Sequence, residues 1–214
     1  MPLESFLAKL DIITPEQLQS AASDAFGHEC VVSDVQRLHN IKRPQAGAID
    51  NPIAKFSCRD YLLGNARKAM LYLTENYAPV REMQHRISAC LSLLHEACGD
   101  SAGFSFIHYE LGPNHVMVDK NNTAYLIDIE GAKFFDLEVE HSFLKLRFGE
   151  NYQYFANRAL SHDKMEFCSF CHFLGILSGA HELSTKDYPD MDDVNGMIRF
   201  GYGQIKRFCD KYAV

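Results

Sequence analysis

Two short apolar runs joined by a polar turn constrain the fold of this chain more than any other feature of its sequence. The runs are HVMV, residues 115–118, and AYLID, residues 124–128, and the segment DKNNT separates them. Consecutive asparagines tolerate left-handed backbone, which favours a tight turn between antiparallel strands. The stretch therefore predicts a β-hairpin, and FSFI at 104–107 predicts a further short strand before it.

Helical patterns surround this hairpin. Residues 58–77 predict one helix and residues 79–98 a second, whose apolar side chains recur every three or four residues on one stripe: Val80, Met83, Ile87, Leu91 and Leu94. After the hairpin, helices are predicted at about 137–148, 150–158, 163–181 and 191–212. The predicted fold class is mainly α with a small β component.

The first part of the chain has a different character. Residues 3–10 and 15–25 predict short helices, and residues 30–38, CVVSDVQRL, predict a strand. The segment HNIKRPQAGAIDNPIAKFS follows, which is rich in Pro, Gly, Asn and Ala and predicts a loop or linker. We place the organisational boundary there, with a first unit at 1–52 and a helical unit at 53–214.

Composition excludes several classes of function. A net charge of −7 argues against nucleic acid and anionic membrane partners, because both require clustered Lys and Arg. No apolar run is long enough to span a bilayer, and the first residues lack the pattern of a secretion signal, so a cytoplasmic protein is expected. The seven cysteines are expected to be reduced, and the CxxC pair Cys168 and Cys171 to be buried core thiols within a helix.

Polar and ionisable side chains gather at the ends of the predicted strands. They are His108, Glu110, Asn114, His115, Asp128 and Glu130. A hairpin brings such positions close together, and a carboxylate at the end of a buried strand is costly unless it is paired or binds a metal. Carboxylate and amide oxygens suit Mg²⁺ completed by phosphate oxygens, which suggests phosphoryl transfer.

These residues carry a family resemblance. HYELGPNHVMVD followed by LIDIEGA resembles the catalytic and metal-binding loops of the aminoglycoside phosphotransferase and choline kinase group, within the protein-kinase-like fold. That pattern is approximately HxDxxxxNxxx, a hydrophobic strand, then IDxE. The resemblance implies that His108 props the catalytic loop, that Glu110 stands at the catalytic acid that accepts the hydroxyl proton, and that Asp128 is a Mg²⁺ ligand, with Glu130 the acid two residues on.

The resemblance covers roughly residues 58–212, a kinase-like C-terminal lobe. It also implies that Asp136 and Glu140, in FFDLEVEHSFLKL, are structural acids at the start of a helix that supports the loop. Two positions depart from the pattern. Glu110 replaces an Asp and carries one more methylene, and misplacing a catalytic group by about an ångström can cost about 10²-fold in rate. His115 replaces the Mg²⁺-binding Asn, with Asn114 one residue early, so either is a candidate for a weaker second ligand, and imidazole is a poorer Mg²⁺ ligand than an amide oxygen.

The resemblance also implies an N-terminal lobe that covers ATP with a glycine-rich loop and a strand lysine. Neither is evident before residue 58, where Lys42 and Lys55 lie in the irregular segment. Residues 1–52 therefore predict an abbreviated lobe, and ATP and Mg²⁺ binding is expected to be weak or absent if the rest of that lobe is missing. An open lobe interface favours completion by a partner chain or a homodimer.

Two functions remain open. The first is an ATP- and Mg²⁺-dependent phosphotransferase acting on a small-molecule hydroxyl, with at most weak activity. The second is a non-catalytic, pseudokinase-type module that binds a small molecule or a protein. Simpler alternatives stay open for single residues: a capping role for Asp128, a surface position for Glu110 and a plain strand position for His115.

Several further side chains fit either the site or the core. The ring of Tyr109 is expected to fill or cap the site. Tyr152, Tyr154 and Phe155 are candidates for an acceptor pocket, although such a spacing is more typical of core residues. The histidines that belong to no constellation are expected to have ordinary roles: His141, His162, His172 and His181.

Overall fold

Six α-helices form most of the part of the chain that the computed structural model describes, namely residues 29–48, 52–53, 57–101, 103–118, 124–155, 160–186 and 188–214. They are α1 Glu29–Asn40, α2 Cys58–Asn76, α3 Ala78–Ala97, α4 Leu137–Phe148, α5 His162–Ser184 and α6 Met191–Lys211. The mainly α fold class with a small β component is therefore confirmed. The helices predicted at 3–10 and 15–25 lie outside the described residues.

The strands in these residues are short. They are β1 Lys42–Arg43, β2 Ala46–Gly47, β3 Pro52–Ile53, β4 Phe104–Ile107, β5 Val116–Val118, β6 Ala124–Leu126 and β7 Lys133–Phe135. Strands β5 and β6 pair antiparallel, so the predicted hairpin is confirmed. The other five form one sheet in the order β1-β4-β7-β2-β3. Strand β7 was not predicted, because three residues are too few to show a period.

The strand predicted at 30–38 is wrong, since this segment lies within helix α1. The β-branched pair in CVVSDV favoured a strand, but the apolar residues at 31, 35 and 38 are spaced by four and three, which is the helical period. Val35 is buried, in a cluster with Leu111 and Val116. Packing of this face decides the helix, as tertiary contacts often override weak local propensity. The described part of the helix predicted at 150–158 is instead a 3₁₀ turn, Gly149–Tyr154, and residues 156–158 lie outside the described residues.

Helix α5 lies at the centre of the helical core and packs against α2, α3, α4 and α6. The side chain of Ser57 caps α2 by accepting a hydrogen bond from the Asp60 backbone N–H at 3.1 Å. The predicted stripe of α3 is buried as expected, apart from the partly buried Met83. Cys168 and Cys171 are both buried in α5, which confirms their assignment to the core.

The short strands of the irregular segment are paired with the rest of the chain. Lys42 of β1 lies opposite Ser105 of β4, and Gly47 of β2 lies opposite Phe134 of β7. The division at residues 52 and 53 stays a prediction, but hydrogen bonds join described residues on both sides of it. None of the described helices combines the length and hydropathy required to cross a membrane.

Candidate active site

The backbone of the loop after β4 is held by one buried carboxylate, that of Glu140 in α4. Its Oε1 accepts a hydrogen bond from the backbone N–H of His108 at 3.2 Å, and its Oε2 accepts one from the N–H of Tyr109 at 2.8 Å. Glu140 is 1% exposed. Hydrogen bonds to an ionised, desolvated acceptor are among the stronger ones in proteins. Glu140, one of the predicted supporting acids, therefore binds the backbone of the loop that carries Glu110.

Tyr109 has an unusual backbone conformation, with φ at 81°. A non-glycine residue there costs about 1–2 kcal/mol, and the surrounding contacts must offset this cost. The Lys133 ammonium lies 3.5 Å from the centroid of the Tyr109 ring, and the Phe135 ring meets it edge-on at 5.8 Å. Burial raises the pKa of the Tyr109 phenol. The Glu140 bond and these ring contacts together fix the direction in which the loop presents Glu110.

His108 makes a hydrogen bond that links two loops of the site. It is buried, and its Nε2 donates to the carbonyl oxygen of Ile127 at 2.9 Å. This bond joins the loop after β4 to the segment that carries Asp128. The His108 ring stacks on the His115 ring with centroids 5.5 Å apart.

The structure brings His115 and Asp128 together. The Nε2 of His115 lies 3.6 Å from Oδ2 of Asp128, whose side chain is 49% exposed. Asp128 adopts a left-handed backbone conformation, with φ 59° and ψ 47°, at the start of the 3₁₀ turn Ile129–Gly131. Asp tolerates this region better than most residues. Its side chain does not cap the turn, so the capping alternative receives no support.

The Asn114 side chain is hydrogen-bonded to helix α4. Its Oδ1 accepts a hydrogen bond from the Arg147 guanidinium. Gly112 lies under this contact, and a Cβ built on it would lie 2.7 Å from Nε of Arg147 and 2.9 Å from Oδ1 of Asn114. Arg147 thus fills the space beside Gly112 and binds the amide oxygen of Asn114, which was one of the two candidates for the second metal ligand.

The predicted Mg²⁺ ligand set does not fit as a whole in this arrangement. Asp128 provides one carboxylate, but the Asn114 oxygen is occupied by Arg147, and His115 faces Asp128 with an imidazole nitrogen instead of a hard oxygen. The described residues contain no group of three or more His, Cys, Asp or Glu side chains arranged to hold a metal ion. Binding of Mg²⁺ and of ATP stays a prediction.

Glu110 lies at the edge of a cavity of about 310 Å³ beside α2, α4 and α5. Its lining is Leu62, Asn65, Ala66, Tyr109, Glu110, Phe143, Cys171, His172, Gly175 and Ile176. Asp128 is not among these residues, so the structure does not place the two predicted acids in one cavity. The volume lies at the lower end of the range typical of small-molecule sites.

The cavity carries negative charge at Glu110 and no positive charge from its lining histidine. Burial lowers the pKa of His172 to about 4, so its imidazole is neutral at neutral pH. Its Nδ1 lies 3.2 Å from the Ser142 hydroxyl oxygen, and the Phe143 ring meets it edge-on. An anionic ligand would therefore meet only repulsion from the charges of the lining.

The two remaining predicted acids lie apart from the cavity. Glu130 is exposed in the 3₁₀ turn after Asp128. Asp136 is buried before α4, with its Oδ2 3.7 Å from the Lys164 ammonium, which also donates to the Ser101 hydroxyl at 2.7 Å. Burial raises the pKa of Asp136, and the Ser101 and Lys164 contacts oppose that shift. Asp136 joins the start of α4 to α5 through Lys164.

Some site residues were missed in the sequence, and some predicted ones lie elsewhere. Phe143 and His172 line the cavity but belong to no motif, and only the three-dimensional packing of α4 and α5 reveals them. Phe155 is core and Tyr154 is exposed, so the acceptor-pocket prediction for these aromatic residues receives no support. Tyr152 instead places its hydroxyl 3.1 Å from Nδ1 of His141.

Comparison with solved structures identifies the fold of this chain. No protein-family model matches the sequence, and no curated protein is significantly similar to it. Among solved structures, the choline kinase LicA from Streptococcus pneumoniae is similar, with a TM-score of 0.59 and 14% identity over 91% of this chain and 66% of that one. A thermostable mutant of aminoglycoside phosphotransferase APH(4)-Ia in its apo form gives 0.53 and 18% over 73% and 53%.

A second structure of APH(4)-Ia is similar as well, with a TM-score of 0.50 and 18% identity over 72% of this chain and 52% of that one. The chain thus spans between about half and two thirds of the solved structures it resembles. Identities this low establish the fold alone. The fold is the kinase-like one of aminoglycoside phosphotransferases and choline kinase, as the loop motifs predicted.

Proposed function

We propose that this chain is a phosphotransferase-like protein that binds a small hydroxyl-bearing molecule in the cavity beside Glu110, with phosphotransfer weak or lost. The observation that carries the proposal is the position of Glu110. Its loop is fixed by a buried carboxylate, and its side chain lines a cavity of about 310 Å³. A positioned polar group at the edge of a largely apolar cavity is typical of small-molecule sites.

The lining favours a ligand that is neutral or positively charged. Glu110 supplies the negative charge, and neutral His172 adds no positive charge. The Lys133 ammonium already lies 3.5 Å from the centroid of the Tyr109 ring, so the preference for a cation rests on the Glu110 carboxylate. An amine-bearing alcohol meets these requirements, which agrees with the choline and aminoglycoside named for the similar structures.

Two glycines of α5 provide a matched test of this cavity. Gly175 lines it, Gly179 lies one turn later and does not, and a Cβ at either position meets nothing within 4 Å. In calorimetric titrations with choline and with an aminoglycoside, Gly175→Leu is expected to weaken binding at least about tenfold, since the added side chain extends into the ligand's space. Gly179→Leu should bind as the wild type does.

Charge is tested separately with Glu110→Gln. This variant is expected to weaken binding of the cationic probes by up to about fivefold, because the exposed carboxylate is screened by water. Glu150→Gln, an exposed acid outside the cavity lining, is the control. Absence of binding of either probe at millimolar concentration, or equal weakening by both glycine variants, would contradict the proposal.

A second candidate is a slow phosphotransferase, favoured by the same position of Glu110. In this function the Glu110 carboxylate would take the proton of the ligand's hydroxyl as the hydroxyl oxygen attacks the terminal phosphoryl group of ATP, and ADP would leave with the electron pair of the broken phosphoanhydride bond. General-base catalysis contributes about 10²- to 10⁴-fold, so Glu110→Gln should abolish any slow turnover measured by ³¹P NMR with ATP and Mg²⁺. Glu110→Asp is expected to retain or increase it.

Nucleotide binding decides between the two candidates. Calorimetric titration of ATP with and without Mg²⁺, on the wild type and on Asp128→Ala, measures it directly. Mg²⁺-dependent binding that is lost in Asp128→Ala would support the second candidate. No binding at millimolar ATP would exclude it for this chain and leave the binding function.

A further inference from the structure

The carboxylate beneath the loop has a basic neighbour that comes from the first described helix. Nε2 of His39 lies 3.7 Å from Oε1 of Glu140, and the two side chains are 2% and 1% exposed. This separation is an ion-pair distance when the imidazole is protonated. Removing one partner of a buried polar pair is costly, because the other then stays desolvated without compensation. His39 is thus in contact with the group that fixes the loop.

Helix α1 meets the site region along one face. Val35 and His39 are four residues apart and therefore lie on the same side of the helix. Val35 packs in the apolar cluster that contains Leu111, which follows the Glu110 loop directly, while His39 reaches Glu140. One face of α1 therefore contacts both Leu111, which follows the loop, and Glu140, which binds the loop backbone.

Backbone hydrogen bonds connect the end of α1 to the same loop. The backbone N–H of Phe106 donates to the Ile41 carbonyl oxygen at 2.8 Å, and Lys42 pairs with Ser105 in the sheet. Strand β4 then runs directly into His108. A displacement of α1 would consequently act on the loop by two routes, through β4 from one side and through Glu140 from the other.

We propose that His39 is a positioning residue that holds the Glu140 carboxylate, and with it the Tyr109–Glu110 loop, so that α1 is energetically coupled to the cavity. The consequence for ligand binding rests on the proposed function. The coupling itself does not, because it is defined by the Glu140 hydrogen bonds to the backbone of His108 and Tyr109.

The Tyr109 backbone amide reports this coupling without a ligand. In ¹⁵N-labelled protein, His39→Leu is expected to accelerate hydrogen exchange of this amide at least about tenfold more than that of core amides in α5, because the loop opens locally. His39→Gln restores a side-chain N–H donor and should retain part of the protection. Loss of general stability alone would accelerate all amides that exchange by global unfolding.

His181→Leu is the matched control, since His181 also has a side-chain partner, the Tyr72 hydroxyl at 3.1 Å, and lies near the end of α5. It should leave the Tyr109 amide unchanged relative to the core. A double-mutant cycle completes the test: in a Glu140→Gln background, replacing His39 should have little further effect on this amide. Unchanged exchange in both His39 variants, or additive effects in the cycle, would overturn the proposal.

Titration of choline into the same variants separates the two proposals. A faster Tyr109 amide together with weaker binding supports both. A faster amide in a protein that binds no probe overturns the binding function and leaves the positioning role intact. Unchanged amides together with intact probe binding overturn the positioning role alone.

Discussion

The Glu140→Gln substitution removes the most buried carboxylate charge of the site and hardly changes the shape of the side chain. Gln keeps one oxygen and replaces the other with an NH₂ group. One of the two backbone N–H donors, that of His108 or that of Tyr109, then faces another donor and loses its acceptor. The shorter bond, 2.8 Å to Tyr109, is the one that the remaining oxygen should keep.

The magnitude follows from the two bonds. A buried N–H left without a partner costs about 1–3 kcal/mol, and the remaining bond falls from the charged range of about 1.5–3 to the neutral range of about 0.5–1.5 kcal/mol. Together these terms predict a loss of about 2–4 kcal/mol in the free energy of unfolding. For a chain of 214 residues, a loss of 3 kcal/mol lowers the melting temperature by about 6–12 °C.

Glu138→Gln is the matched control within the same helix. The Glu138 carboxylate also accepts a backbone hydrogen bond, from the N–H of Ser161 at 3.1 Å, but in an exposed position. Water replaces a lost acceptor there, so the expected loss is below about 1 kcal/mol. Urea unfolding of the two variants measures the difference. Equal losses, or a Glu140→Gln change within about 0.5 kcal/mol of the wild type, would refute the anchoring role.

Two further predictions concern pH and a glycine. Burial lowers the pKa of His172 to about 4 in the folded chain from its ordinary value of 6.5, so protonation favours unfolding. The contribution of neutral His172 to stability is complete above pH 6.5 and falls as the pH drops towards 4. His172→Gln should remove this part of the pH dependence in urea unfolding at pH 4.5 and 7.5, and an unchanged difference would contradict it. Gly112→Ala should displace Arg147 from Asn114 and destabilise by up to about 1 kcal/mol. Gly64→Ala, where a Cβ in α2 meets nothing within 4 Å, should stabilise by up to about 1 kcal/mol, and the same sign for both in thermal unfolding would argue against the close contact.

Local patterns predicted the elements that are long or punctuated by turn residues. The stripe of α3 and the antiparallel pairing of β5 with β6 were predicted from signals contained within about 20 residues, and both are confirmed, while the Asn pair itself lies outside the described residues. Helix α1 was missed because β-branched residues in a short segment favour a strand when no partner surface is known. Strand β7 was missed because its three residues acquire their conformation from the neighbouring strands β4 and β2.

For the candidate site, too, the sequence predicted some features and missed others. The sequence indicated which polar residues stand near the strand ends, and the similar fold of the solved structures agrees with that motif. It did not distinguish the two supporting acids. Glu140 holds the loop backbone, whereas Asp136 pairs with Lys164 of α5.

The sequence by itself determined helices α2 to α6, the hairpin and the polar residues at its ends, because each of these depends on the spacing of neighbouring side chains. Tertiary structure alone decided their partners. His108 and Glu140 are 32 residues apart, and His39 is further still from Glu140, yet they meet in one buried contact. Arg147 reaches Asn114 across 33 residues, and the cavity exists only where three helices meet the Glu110 loop. Pairing at such separations is set by packing and burial, which no local pattern encodes.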